Sequence, residues 1–84
     1  MDKRVEERIH NRIQLLRTER GMSRQQLADA LGVHYQTIGY LERGEYSPSL
    51  HLALRTAALF GLPVEAIFGL EEFPSLSAEA LLRR

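Results

Sequence analysis

The sequence predicts an all-α domain of five short helices, and three observations predict it. Apolar residues recur every three or four positions through most of the chain, as one buried face of a helix requires. Serine, proline and glycine punctuate these stretches where helices begin and end. Nowhere do several apolar and polar residues alternate at period two, so no strand is expected. The 84 residues suit one small domain, and 44% hydrophobic with 26% charged residues is ordinary for a soluble globular protein.

The first helix is expected over residues 4–20, where Val5, Ile9, Ile13 and Leu16 form one apolar stripe. His10, Arg12, Gln14 and Arg20 are left to solvent, and Gly21 ends the helix behind a basic last turn, as the helix dipole prefers. Met22 then drops into the core. Ser23 is an N-cap for the second helix, with Gln26 completing a capping box. Leu27, Ala28 and Leu31 share its inner face, and Gly32 supplies the left-handed position that ends it. A third helix starts at about Tyr35, carries Ile38 and Leu41 inward and stops at Gly44. Ala28 is small enough for helices two and three to cross closely.

Pro48 blocks continuation of the third helix, and Ser49 caps a fourth, Leu50 to Phe60, ended by Gly61. Leu50, Ala53, Leu54, Ala57 and Phe60 are expected to face the core, with Leu52 and Leu59 projecting from the opposite side. Pro63 suits the first turn of a fifth helix, Pro63 to Phe68, with Glu65 near its positive end and Gly69 as its stop. Residues 1–69 thus form the domain and 70–84 an extension, set off by Pro74, in which Ser77 to Leu82 suit a short sixth helix. So short a helix needs a partner surface. Leu52 and Leu59, with Leu70 and Phe73 beyond them, suggest a homodimer interface; the alternative is that the extension folds back over these leucines within one chain.

Several function classes are excluded. The chain has no cysteine, which removes disulfides, thiolate metal sites and thiol catalysis. His10, His34 and His51 fall on three different predicted helices without ligand spacing, so no metal is expected. No phosphate loop or nucleophile motif is present, so neither enzyme activity nor a cofactor is expected. No apolar run approaches the roughly 20 residues of a membrane span. The charged start cannot be a secretory signal, which leaves the cytoplasm as the expected location. Eleven basic residues balance eleven acidic ones. That sum is unhelpful to a nucleic-acid partner, but residues 61–82 carry four glutamates and no base, so the acidity lies mostly away from helices two and three.

The stretch SRQQLADALGVHYQTIGYLERG, residues 23–44, has the pattern of a helix-turn-helix, whose second helix can lie in the DNA major groove. Over residues 9–69 the chain resembles the Cro/C1-type, or XRE, family of transcriptional regulators, in its short stand-alone form. The resemblance is carried by Leu27-Ala28, Leu31-Gly32-Val33, Gln36-Thr37-Ile38 and Leu41-Glu42-Arg43-Gly44. The flanks match as well: Arg20-Gly21-Met22-Ser23, Tyr46-Ser47-Pro48-Ser49-Leu50 and Phe60-Gly61-Leu62-Pro63.

The resemblance implies a lambda-repressor-like five-helix bundle that binds double-stranded DNA as a homodimer, on two half-sites about one turn apart. It places Tyr35, Gln36 and Tyr40 at base edges, where a glutamine can pair with adenine N6 and N7. It places Arg24, Gln25, His34, Thr37, Arg43 and Tyr46 at phosphates. Arg17 and Glu42 match a salt bridge joining the first and third helices. Gly39 costs the third helix about 1 kcal/mol relative to alanine; either it allows close approach to DNA, or it has drifted at an exposed position. With no second domain to hold a ligand, control would come from concentration, a protein partner or turnover. The alternative function is a protein-interaction module, such as the antitoxin of a toxin–antitoxin pair, holding its partner through residues 70–84.

Overall fold

The computed structural model describes residues 8–74. The order is β1 (His10–Asn11), α1 (Ile13–Glu19), α2 (Arg24–Leu31), α3 (Tyr35–Glu42), α4 (Leu50–Phe60), a 3-10 turn (Val64–Ala66) and β2 (Phe68–Gly69). Four α-helices are therefore present among the described residues, and the predicted fifth is a single 3-10 turn.

Local chemistry sets the helix boundaries. Ser23 Oγ accepts from Gln26 N at 3.0 Å, while Gln26 Oε1 accepts from Ser23 N at 2.8 Å, which closes the capping box of α2. Gly32, at φ +72°, ends α2 in the left-handed region, and its successor Val33 donates back to Ala28 O at 3.0 Å. Only three residues then separate α2 from α3. Ser49 Oγ accepts from Leu52 N at 3.0 Å to start α4. Ile13, Leu27, Leu31, Ile38, Leu41 and Ile67 form the centre of the core, and Met22, Leu16 and Ile9 pack half-buried against it.

Four expectations are corrected. The first helix begins at Ile13, with residues 8–12 of its expected span outside it and residues 4–7 outside the described residues. A strand exists where none was expected: His10 pairs with Gly69 and Asn11 with Phe68, antiparallel. Asn11 is the cause. Its Oδ1 accepts from Ile13 N at 3.0 Å, its Nδ2 donates to Leu41 O at 2.7 Å, and the next residue, Arg12, donates its N–H to Ile67 O at 2.9 Å. The long-range bonds to Leu41 and Ile67 hold the backbone extended before α1. The fifth helix shrinks for the matching reason. After its one turn the chain extends to pair with β1, which satisfies more backbone than an isolated short helix can.

The fourth helix is rotated from its expected orientation. Leu52, Ala53, Thr56, Ala57 and Phe60 are buried, while Leu50 and Leu54 are 72% and 52% exposed. Thr56 sits at the centre of the buried face because its hydroxyl donates to Leu52 O at 2.8 Å, leaving no unpaired polar atom. Leu52 therefore belongs to the core and not to an outer interface, and Leu59 is half-buried against the same core. Arg20 is exposed, as expected, yet it makes long-range contacts. It donates through Nη2 to Phe60 O at 2.7 Å and lies 5.1 Å above the Phe60 ring, closing the carboxyl end of α4. The predicted sixth helix lies outside the described residues.

Candidate nucleic-acid interface

Three residues of α3 present polar or aromatic side chains outward: Tyr35 at 46% exposure, Gln36, and Tyr40 at 45%. Ile38 and Leu41 anchor the other side of the helix in the core, so this face cannot rotate away. The amino end is fixed by His34, whose Nδ1 accepts from Gln36 N at 3.1 Å. An imidazole thus performs the capping more usual for serine or threonine.

At the other end of α3, Glu42 holds the helix to its neighbours. Its carboxylate, with 1% of the side chain exposed, accepts from Arg17 Nε at 2.6 Å and from Arg24 Nε at 3.0 Å. Arg17 also donates to Met22 O at 3.0 Å, so its guanidinium is spent on structure. Arg24 is different: 38% of its side chain is exposed, and it stands at the opening of α2 beside Tyr35. The hydrogen bond to Glu42, then that carboxylate's charge, raises the Arg24 pKa above its ordinary value. The ion pair holds the Arg24 guanidinium beside Tyr35, at the amino end of α3.

The expected phosphate contacts distribute unevenly. Arg24 joins Tyr35, Gln36, Gly39, Tyr40 and Arg43 around a shallow depression of about 210 Å³ on the outer face of α3. Gln25 is exposed but donates along its own helix to Asp29 Oδ1 at 2.9 Å. Thr37 is half-buried, and Tyr46 is 45% exposed in the loop after α3. Arg43 turns back over α3, its guanidinium 5.3 Å from the Tyr40 ring centre and its Nε donating to Glu45 Oε1 at 3.1 Å.

Of the residues expected at a dimer interface, Leu70 is 59% exposed, and Phe73 is half-buried with the Arg12 guanidinium 4.3 Å above its ring. Leu52 is in the core, as described above. The exposed leucines of α4 are instead Leu50 and Leu54, which were expected inside. Arg8 was not singled out from the sequence. It reaches the end of α3, donating to Arg43 O at 3.4 Å, and it borders a second depression with His10, Arg43, Glu72 and Phe73. Asn11 was also missed, although an asparagine just before a helix is a cap signal that could have revealed it.

Known proteins share the helix-turn-helix. A helix-turn-helix family profile matches residues 13–67. The uncharacterized HTH-type transcriptional regulator YgzD of Bacillus subtilis is 40% identical over 64 residues, covering 76% of this chain and 97% of that protein. Among solved structures, the restriction-modification controller protein C.AhdI from Aeromonas hydrophila superposes with a TM-score of 0.60 at 31% identity, over 66% of this chain and 83% of that one. A transcriptional regulator from Listeria innocua gives 0.62 at 27% identity, over 84% of this chain and 68% of that one.

Proposed function

The chain belongs to the Cro/C1-type helix-turn-helix family of transcriptional regulators, and from that premise we propose that it is a sequence-specific DNA-binding regulator working as a homodimer. The observation that carries this reading is the outer face of α3, where Tyr35, Gln36 and Tyr40 stand exposed on a helix anchored at both ends. In the major groove, Gln36 pairs with adenine and the tyrosines meet neighbouring base edges or backbone. Arg24, Gln25, His34, Thr37 and Tyr46 surround this face and hold phosphates, which fixes the register of the helix on the duplex.

A neutral chain gains little from non-specific attraction, so one domain alone binds weakly. Pairing two recognition helices on two half-sites multiplies the effective affinity. Exposed Leu50, Leu54 and Leu70 support self-association, together with Phe73 at the margin. Work on chromosomal DNA puts the protein in the cytoplasm, and occupancy of the operator blocks or recruits polymerase. The test is a gel shift of the protein with its own promoter DNA. A complex that weakens steeply between about 50 and 200 mM salt is expected. No complex at low salt with that DNA, or with a randomised duplex pool, would overturn the reading.

A further inference from the structure

Gln36, Gly39, Tyr40 and Arg43 lie at positions i, i+3, i+4 and i+7, so they share one stripe of α3 and its cap. Side chains on a helix lean toward its amino end, and Arg43 follows that direction. A Cβ built on Gly39 would stand 3.1 Å from Arg43 Nη1 and 3.8 Å from both Cζ and Nη2. The guanidinium therefore lies directly over the glycine. Tyr40 flanks it at 5.3 Å and Glu45 takes its Nε, while Arg43 lines the depression shared with Gln36 and its two terminal nitrogens have no hydrogen-bond partner among the described residues. Those two nitrogens are the pair that matches O6 and N7 of guanine.

We propose that Arg43 reads a guanine in the base pair next to the one met by Gln36, and that Gly39 determines this specificity by giving the guanidinium its seat. The proposal rests on α3 being the recognition helix. It replaces the phosphate role expected for Arg43, and the geometry favours the replacement: a phosphate approaching this guanidinium would meet the Glu45 carboxylate beside it. Spacing gives the neighbouring register. Gly39 is three residues beyond Gln36, about 4.5 Å along the helix axis, close to the roughly 3.4 Å between stacked base pairs.

The test is selection of binding sites from a randomised duplex pool by the full chain and by Gln36→Ala, Arg43→Ala and Gly39→Leu variants. Gln36→Ala identifies the adenine position. At the adjacent base pair, Arg43→Ala and Gly39→Leu should each lower the guanine preference about tenfold or more and leave the remaining positions intact. Gly39→Leu keeps the Arg43 charge, so its salt dependence should match that of the unmodified protein. If Gly39→Leu folds poorly, Gly39→Ala should show a smaller loss of the same guanine. The proposal is overturned if Arg43→Ala weakens every duplex equally, keeps the selected pattern and makes the salt slope shallower by about one unit. It is also overturned if Gly39→Leu leaves the guanine preference unchanged. Recovery of no preferred sequence by the unmodified chain would remove the recognition-helix reading itself, and this one with it.

Discussion

Glu42 carries more local consequence than any other side chain on α3, because one buried carboxylate satisfies two guanidiniums from two other elements. Its removal leaves Arg17, itself 8% exposed, without a counter-charge. Glu42→Ala should therefore lower unfolding stability by about 3 kcal/mol, read from a denaturant melt, whereas a surface ion pair such as Arg43–Glu45 should give about 0.5 kcal/mol or less. A loss below about 1 kcal/mol for Glu42→Ala would mean that the network contributes orientation but little stability. At the opposite end of α3, His34→Ala removes the only side-chain acceptor seen for Gln36 N among the described residues. The expected cost is about 1 kcal/mol, with His34→Ser close to neutral because serine restores the cap.

At the scale of elements, Asn11 decides where α1 starts. Its two side-chain hydrogen bonds tie the strand-to-helix junction to the last turn of α3. Asn11→Ala should cost about 2 kcal/mol and raise amide exchange at Ile13; an unchanged melting temperature would contradict the anchoring role. The same elements show what was legible beforehand. The capping box at Ser23, the glycine stop at Gly32 and the inward faces of α2 and α3 are local features, and local residues suffice to read them. The β1–β2 pairing joins residues nearly sixty positions apart and leaves no periodic trace in two-residue strands. The face of α4 was misread because Thr56 counts as polar in a pattern, although its hydroxyl is satisfied within its own helix. The outward-facing residues of α3 were legible as a group, but the seat of Arg43 over Gly39 depends on a side-chain path that spacing alone does not specify.

For the whole molecule, the division of surfaces matters most. One face of α3 carries the polar and aromatic side chains, and α4 exposes Leu50 and Leu54 elsewhere. If those leucines join two copies, Leu54→Glu should shift sedimentation to the monomer and weaken operator binding by about a hundredfold, without loss of helicity. Retention of the dimer by both Leu50→Glu and Leu54→Glu would exclude this surface. The central claim, that α3 reads sequence, is tested most directly by measuring Gln36→Ala binding to the selected operator and to an unrelated duplex at one salt concentration. Loss of a base reader should weaken operator binding by about 1–3 kcal/mol and leave the unrelated duplex almost unaffected. Equal weakening on both duplexes would contradict it.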